Sequence, residues 1–239
     1  MSEINKTFPI LKSNKQMQTD IKSTQSLTES SVVSNTEIAP GVFVLKIKRN
    51  INFKSGQYIG ITTDKNVAPR LYTIASSTKD DVIQILYNVK DDGWLTPRLS
   101  EHKFGSTIYM TKPEGDFIDD ESPAWWIASG TGIAPFASMF RSGLKTNKTL
   151  IHGGRFTHSF FFEKEFRPVL KGNYIRCCSQ ESAEGLYNGR LTRYLQDIET
   201  FPEDCRYFLC GSPEMVVEVR DLLIDKGVAY NKIVAEIYF

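Results

Sequence analysis

The chain has 239 residues, of which 41% are apolar and 12% aromatic, and its formal net charge is +1. A chain of this length and apolar content can bury a sizeable core, in one large domain or in two of ordinary size. The near-zero net charge gives no electrostatic reason to expect nucleic acid or an anionic membrane as the main partner.

Four cysteines occur without a CxxC pair, at Cys177, Cys178, Cys205 and Cys210. This usage predicts reduced thiols in a cytoplasmic protein, and the spacing does not match a plant-type iron–sulfur site. No apolar run approaches the ~20 residues that a membrane span requires. The N-terminus also lacks the apolar segment of a secretory signal.

Residues 1–26 are rich in Lys, Ser, Thr, Asn and Gln and show no sustained period. This composition predicts a flexible N-terminal tail. Few acidic residues leave an organelle-targeting peptide as the alternative, which the absence of arginine disfavours.

Residues 27–119 carry the alternating pattern of half-buried strands. Two segments, 41–48 and 82–90, place on one face Phe43, Leu45 and Ile47 and, in the second, Ile83, Ile85, Tyr87 and Val89. Gly, Pro and Asp turns separate such short strands, which favours an antiparallel β-barrel or sandwich.

Residues 120–239 change to a repeated order of strand, glycine turn and helix. One helix is marked by Ser212 at the N-cap, Pro213 at the first position and Gly227 beyond its end. Its predicted apolar stripe consists of Met215, Val216, Val219, Leu222 and Leu223. We therefore expect an all-β half and an α/β half, the latter a doubly wound parallel sheet, with the boundary near residue 120.

The segment "IASGTGIAPF" joins a buried strand to a helix that should begin near Pro135. A turn through Gly130, Thr131 and Gly132 lets backbone amides approach a phosphate at the positive end of that helix. The alternative interpretation is steric, because a tight strand-to-helix turn requires glycine even where no ligand binds.

The segment "LCGSPEMV" repeats this design at residues 209–216. Because ligands bind beyond the carboxyl ends of parallel strands, its Gly211 and the first turn should border one crevice, with Cys210 pointing into it. A small buried thiol that only packs is the alternative for Cys210.

The segment "RLYTIASS" places Arg70, Tyr72 and Thr73 inside an otherwise apolar strand. With the two glycine turns that follow in order, it resembles the RxYS/T flavin motif and the pyridine-nucleotide turns of the ferredoxin:NADP reductase family. The ending "AEIYF" is similar to the Glu-x-Tyr-Trp ending of the bacterial branch. The resemblance covers residues from about 27 to 239.

The resemblance implies a six-stranded antiparallel barrel that binds FAD at 27–119 and an NADP-binding α/β domain at 120–239. It also implies hydride exchange with NADP(H), coupled to single-electron exchange with ferredoxin or flavodoxin as a transient partner, in a monomer that requires no metal. One alternative is the reductase component of an oxygenase, or a soluble flavin reductase. A non-catalytic FAD-binding module is the other.

The family pattern assigns FAD contacts in the barrel. Arg70 would pair with the pyrophosphate, Tyr72 would stack on the isoalloxazine and the Thr73 hydroxyl would reach toward flavin N5. Gly93, Leu95 and Thr96 in "DDGWLTPRL" would offer backbone amides and a hydroxyl to the diphosphate, although a simple hairpin turn is the alternative. The remaining expected neighbours of the flavin and its crevice are Leu71, Tyr87, Asn88, Val89 and Thr131.

The C-terminus supplies the second flavin face in the same comparison. Glu236 would help to organise the nicotinamide site, Tyr238 would cover the flavin and Phe239 could stack on the adenine. An aromatic chain end could instead be ordinary core. The expected polar groups at the reacting atoms are Thr73, Cys210, Glu236 and Tyr238.

The NADP site would combine Gly130, Gly132 and Gly211 of the turns with three residues for the adenosine 2′-phosphate, namely Arg155, Ser179 and Arg190. Gln180 departs from the pattern, because many relatives have an arginine there. Two arginines still favour a phosphomonoester, and thus NADP over NAD. Solvated surface residues are the alternative for both arginines.

Overall fold

The computed structural model describes residues 26–238, so the predicted N-terminal tail and Phe239 lie outside the described residues, apart from Ser26. The first part forms an antiparallel sheet of six strands: β1 (Thr28–Ala39), β2 (Val42–Lys48), β3 (Tyr58–Thr62), β4 (Arg70–Thr73), β5 (Val82–Asn88) and β6 (Thr107–Met110). The strand order is β4-β3-β6-β1-β2-β5. A bridge between Ile74 and Ile85 joins the two edges, which closes the sheet into the expected barrel.

The barrel interior follows the alternation of the strand sequences. The faces of β2 and β5 that were predicted to be apolar lie in or against one buried cluster: Phe43, Leu45, Ile47, Ile83, Ile85, Tyr87 and Val89. The opposite faces contribute Val42, Val44 and Leu86 to a different cluster, which continues into the second half of the chain. Because β2 and β5 are covered on both faces, the barrel and the second sheet share a packed interface.

The second part is a parallel sheet with the order β10-β9-β8-β7-β11-β12. Its strands are β7 (Ala124–Ser129), β8 (Lys148–Gly154), β9 (Tyr174–Cys178), β10 (Tyr187–Asn188), β11 (Arg206–Gly211) and β12 (Ile233–Ile237). This confirms the predicted order of a barrel followed by an α/β sheet.

Five α-helices of four or more residues occur in the described part of the chain: α1 (Leu95–Ser100), α2 (Ala134–Arg141), α3 (Glu163–Leu170), α4 (Leu191–Gln196) and α5 (Pro213–Asp225). Within residues 26–238, none of them has the length and apolar content to cross a membrane.

Helix α5 begins and ends as its sequence predicts. Ser212 Oγ accepts a 3.4 Å hydrogen bond from the Met215 amide, and Pro213 occupies the first turn. Gly227 has φ 87°, a left-handed conformation that glycine adopts without strain beyond a helix end. All five residues of the predicted stripe lie in or against the buried cluster beneath this helix.

A buried ion pair ties the segment between the two sheets to β8. Lys148 Nζ lies 2.8 Å from Asp119 Oδ2, and both side chains are fully buried. The ammonium also donates to the carbonyls of Asp120 and Ser122, while Trp126 Nε1 donates to the same Asp119 carboxylate. These bonds satisfy both charges, which is the condition under which a buried pair is tolerated.

Candidate active site

The glycine turn after β7 forms a short 3₁₀ helix, Gly130–Ile133, and α2 begins directly after it at Ala134. Gly130 has φ 54°, and a Cβ placed on it would meet no atom within 4 Å. Gly132, in contrast, lies against β11, where a Cβ would come within 2.3 Å of the Cys210 carbonyl oxygen. Close packing therefore accounts for Gly132, whereas Gly130 borders open space and has a left-handed φ that by itself favours glycine.

The turn after β11 contacts the first turn. Gly211 has φ 155°, and a Cβ on it would lie 2.2 Å from Ser129 Oγ. Strands β7 and β11 are neighbours in the sheet, with Cys210 opposite Ala128. Both turns therefore lie at one edge of the sheet, as the parallel topology predicts.

The four polar residues expected at the reacting atoms lie in one group. Thr73 Oγ1 donates a 2.7 Å hydrogen bond to Glu236 Oε1, which connects the barrel to the last strand of the parallel sheet. Cys210 is the register partner of Glu236. The Tyr238 amide donates to the Gly211 carbonyl at 2.8 Å, which holds the C-terminal segment over the second turn.

Burial determines the protonation of this group. Desolvation raises the pKa of Glu236 to about 7, although the hydrogen bond from Thr73 acts in the opposite direction. Burial also raises the pKa values of the Cys210 thiol and the Tyr238 phenol well above their usual range. At neutral pH the thiol and phenol are uncharged, and Glu236 is the member of the group that exchanges a proton.

The Tyr238 hydroxyl is buried near Thr73 and Cys210 but makes no hydrogen bond of normal geometry with any residue of the described range. An unsatisfied buried hydroxyl costs about 1–3 kcal/mol. A small displacement of the Tyr238 ring would relieve this cost. The arrangement fits a site in which this ring yields to another flat group.

Tyr72 lies half-buried on β4, and its ring contacts the edge of Tyr87 at a centroid distance of 6.4 Å. Tyr87 is only 2% exposed, stacks on Phe43 and donates a hydrogen bond to Asn35 Oδ1, and burial raises its pKa to about 12. The expectation that Tyr87 borders the flavin stays a prediction, in which Tyr87 would act from the barrel core through its contact with Tyr72. The Tyr87 ring packs in the barrel core, where it makes an edge contact with the Tyr72 ring.

Other barrel residues of the predicted site differ in exposure. Arg70 is exposed at the start of β4 and forms no ion pair with another residue of the described range. Asn88 is also exposed, whereas Leu71 and Val89 are half-buried. Arg70 therefore offers a guanidinium that is free to pair with an anion.

The loop before α1 uses its own polar groups. The Gly93 amide donates to the Lys90 carbonyl at 2.8 Å, and Thr96 Oγ1 accepts from the Lys90 amide at 2.8 Å. Leu95 is buried in the barrel core. The Gly93 amide and the Thr96 hydroxyl thus make hydrogen bonds within the loop, and their contact with a diphosphate stays a prediction. The hairpin alternative is wrong, because the chain continues into a helix whose first amides have no intrahelical acceptor.

The residues expected at the 2′-phosphate lie in the loops that follow β8, β9 and β10, and hydrogen bonds join the first two of these loops. The backbone amide of Gln180 donates to the Arg155 carbonyl at 2.9 Å, and the backbone amide of Ser179 donates to the Gly154 carbonyl. Arg190 is the N-cap residue of α4. Arg155, Gln180 and Arg190 are exposed, Ser179 is half-buried, and Thr131 of the first turn is half-buried as well.

Several residues at this edge were not anticipated from the sequence. Glu218 on α5 pairs with Arg190 at 2.7 Å, and Glu181 Oε2 accepts a 2.7 Å hydrogen bond from the Thr157 amide. His152 lies fully buried beneath the first turn, where desolvation lowers its pKa to about 3. The sequence signal for His152 was its place in "HGG" at a strand end, whereas Glu218 carries no such signal.

Comparison with known proteins identifies similar proteins for this chain. The family model described as "Oxidoreductase NAD-binding domain" matches residues 126–221. A flavodoxin/ferredoxin–NADP reductase of Rhodobacter capsulatus is 28% identical over 220 residues, which cover 78% of this chain and 81% of the relative. The electron transfer component of toluate 1,2-dioxygenase from Pseudomonas putida is 24% identical over 87% of this chain and 67% of the relative.

The fold is similar to that of a ferredoxin NADP⁺ reductase from Neisseria gonorrhoeae, which was solved with bound FAD and NADP. The TM-score is 0.82 at 21% identity, and the match covers 90% of this chain and 100% of that structure. The barrel, the parallel sheet, the two glycine turns and the similarity to named reductases agree with one another. The chain is similar to ferredoxin:NADP reductases in sequence and in fold, and residues 126–221 match the NAD-binding domain of oxidoreductases.

Proposed function

We propose that this protein is an FAD-dependent oxidoreductase that exchanges a hydride with NADP(H) and single electrons with ferredoxin or flavodoxin. The hydrogen bond between Thr73 and Glu236 carries the proposal, because it joins the strand of the flavin motif to the strand beside the nucleotide turns. The names of the Rhodobacter and Pseudomonas aeruginosa relatives, both NADP reductases, support the same reaction.

In this proposal, residues 27–119 hold FAD. The exposed guanidinium of Arg70 would pair with the pyrophosphate, Tyr72 would lie against the ring system, and Thr73 would face its reactive edge. The amides at the start of α1 would assist at the phosphates. FAD supplies the exchange between two-electron and one-electron chemistry when it is bound.

Residues 120–239 would receive NADP(H). Gly130 borders open space, so the dinucleotide could approach the first turn without meeting a side chain there. Arg155, Ser179 and Arg190 would hold the adenosine 2′-phosphate at the loops after β8, β9 and β10. The neutral Gln180 and the pairing of Arg190 with Glu218 would weaken the preference for NADPH over NADH.

The polar group around Glu236 would control a proton near the reacting atoms. Thr73 Oγ1 directs its hydrogen toward Glu236 Oε1, and the carboxyl exchanges its own proton near neutral pH. Cys210, which is buried and uncharged, would exclude water from one side of the site. This exclusion would strengthen polar interactions there. Tyr238 would leave its position when nicotinamide enters.

We also propose a monomeric protein, and one that is cytoplasmic, since all four cysteines are buried and unpaired. The second candidate is a reductase that serves an oxygenase, which the similarity to the toluate 1,2-dioxygenase component favours. The two candidates share the same reaction with NADP(H) and differ in the electron acceptor.

The test is a comparison of acceptors with the purified, FAD-loaded chain. We expect NADPH to drive the reduction of ferredoxin or flavodoxin faster than that of free FMN. Efficient reduction of an oxygenase component alone would favour the second candidate. A chain that takes up no FAD on reconstitution would rule out both.

A further inference from the structure

One face of α2 is bonded to the loop that leaves the flavin-motif strand. Ser138 Oγ donates to the Ser76 carbonyl at 2.7 Å, and Arg141 Nη1 donates to the Ala75 carbonyl at 2.6 Å. One residue further, Ser142 Oγ accepts a 3.0 Å hydrogen bond from the Thr78 amide. Because residues three and four positions apart share a helix face, these contacts form one continuous seam.

Arg141 is the member of this seam with partners on a third element. Its Nε and Nη2 atoms bind both carboxylate oxygens of Glu165 on α3, at 2.8 and 2.5 Å. Its guanidinium carbon also lies 4.4 Å from the ring centroid of Phe162. The side chain is only 16% exposed. Bidentate pairing and partial burial make this a rigid junction rather than a loose surface ion pair.

The backbone of Phe162 is strained at this junction. Its φ is 62°, a left-handed conformation that is uncommon for a bulky residue and costs of order 1–3 kcal/mol. Such strain persists only where neighbouring contacts hold the residue in place. Here the guanidinium of Arg141 covers the Phe162 ring and binds Glu165 in the first turn of the same helix.

The seam connects the two halves of the candidate site by short, stiff paths. Ala75 follows Thr73 by two residues, and α2 begins directly after the Gly130–Ile133 turn. A shift of α2 along the barrel would therefore move the nucleotide turn relative to the flavin-motif strand. Hydride transfer is sensitive to such shifts, because a displacement of about 1 Å can reduce a rate by ~100-fold.

We propose that Arg141 is a positioning residue that sets the distance between flavin and nicotinamide by fixing α2 and α3 to the Ala75–Thr78 loop. The inference rests on the proposed function and goes beyond it, because Arg141 acts through the orientation of the two domains. It predicts that loss of the guanidinium slows hydride transfer without weakening the binding of either cofactor's remote end.

The test compares Arg141→Met and Arg141→Lys with the matched control Arg206→Met in FAD-loaded protein. Arg206 also contacts an aromatic ring and a carboxylate, Phe208 and Asp120, but at the opposite end of the parallel sheet. We expect Arg141→Met to slow single-turnover reduction of FAD by NADPH on the order of tenfold. Arg141→Lys should recover part of this loss, and the control should stay within twofold of the parent protein.

Two further measurements do not depend on turnover. Binding of 2′-phospho-AMP and the FAD content should stay within twofold in Arg141→Met, because the proposed 2′-phosphate contacts are remote from the seam and Arg70, the proposed pyrophosphate contact, makes no bond with it. Amide hydrogen exchange should rise at Thr78, whose amide is bonded across the seam, and fall back toward the parent value in Arg141→Lys.

Unchanged hydride transfer and unchanged exchange at Thr78 in Arg141→Met would overturn the inference. A parallel loss of 2′-phospho-AMP binding would also overturn it, because that result indicates damage within the nucleotide domain. If Arg141→Met does not fold, Ser138→Ala removes one seam bond and must show the same pattern in weaker form. A parent protein that binds neither FAD nor 2′-phospho-AMP would refute the proposed function instead.

Discussion

Thr73 and Glu236 are 163 residues apart in the sequence, yet Thr73 Oγ1 donates a 2.7 Å hydrogen bond to Glu236 Oε1. Thr73 is the last residue of β4 in the barrel, and Glu236 lies on β12, an edge strand of the parallel sheet. The bond therefore closes the candidate site across the domain interface. Because the carboxyl has a pKa of about 7, its charge changes within the physiological range.

We expect Glu236 to make the stability of the FAD-free chain depend on pH. Its pKa is raised from 4.5 in the unfolded chain to about 7 in the folded protein, so the folded state binds more protons between these values. The stabilisation of the folded state by this proton is fully present below pH 4.5 and is lost as pH rises through 7. Glu236→Gln should therefore be more stable than the parent at pH 8, by about 1–3 kcal/mol.

Urea unfolding at pH 5 and pH 8 measures this effect, and Glu218→Gln, at an exposed ion pair, serves as the control. An equal change of stability with pH in Glu236→Gln and the parent would contradict the assigned pKa.

His152 should have the opposite dependence at acid pH. Burial lowers its pKa from 6.5 to about 3, so the unfolded chain binds a proton that the folded protein rejects between these values. Stability is full above pH 6.5 and declines as pH falls toward 3. At pH 5 the cost is about 2 kcal/mol, since each pKa unit corresponds to about 1.4 kcal/mol.

His152→Gln should reduce the loss of stability between pH 7 and pH 5, as measured by the urea midpoint. His158→Gln, at an exposed position, should retain the parent's loss. If both variants lose stability equally, His152 is not the group responsible.

Replacing Tyr238 by Ser should strengthen coenzyme binding. The buried Tyr238 hydroxyl has no hydrogen-bond partner of normal geometry in the described range, and in the proposed site its ring would occupy the place that nicotinamide needs. We expect a stronger charge-transfer band with oxidised coenzyme, slower turnover with fast acceptors because release becomes slow, and weaker discrimination between NADPH and NADH. Tyr230→Ser, at a residue that is 61% exposed, is the control. No change in affinity, band or selectivity would make Tyr238 a packing residue.

Gln180→Arg should sharpen the choice of coenzyme. The backbone amide of Gln180 donates a hydrogen bond to the Arg155 carbonyl. An arginine at position 180 would therefore add a cation beside the proposed 2′-phosphate contacts. A charge-assisted hydrogen bond contributes about 1.5–3 kcal/mol, which corresponds to a gain of about 10- to 150-fold in the kcat/KM ratio of NADPH over NADH. Gln84→Arg is unsuitable as a control because Gln84 is buried, so Gln196→Arg at the exposed end of α4 is used. A parent protein that prefers NADH would refute the NADP assignment.

Replacing only one residue of the Lys148–Asp119 ion pair should lower the free energy of unfolding more than replacing both. Lys148→Met leaves an unpaired buried carboxylate and should destabilise the protein by about 3–5 kcal/mol. The double variant with Asp119→Leu should recover part of that loss, although Trp126 Nε1 then lacks its acceptor. Thermal or urea unfolding decides between these outcomes. A double variant whose destabilisation equals the sum of those of Lys148→Met and Asp119→Leu alone would show that the pair has no mutual coupling.

The parts of the structure that were predictable depend on local periods and caps. Alternation along β2 and β5 predicted which face of each strand enters the barrel core, because side chains alternate across a strand. The start of α5 at Ser212 followed from its cap. The contact between the turns at Gly132 and Gly211 followed from the meeting of parallel strand ends at one edge.

Other site residues depended on contacts between distant segments. Tyr87 has the pattern of a strand residue near the flavin, but Phe43 and Asn35 enclose it in the barrel. Likewise, hydrogen bonds with Lys90 occupy the Gly93 amide and the Thr96 hydroxyl. A residue type and its spacing do not specify such partners.

The sequence determined the order of the elements, the faces they bury and the group of residues that meet at the ends of β7 and β11. Only the tertiary structure decided that Arg190 pairs with Glu218, that Arg141 joins three elements and that Glu236 lies where its pKa approaches 7. The physical reason is that periodicity and caps act over a few residues. Ion pairs and desolvation depend instead on the register and packing of strands and helices far apart in the chain.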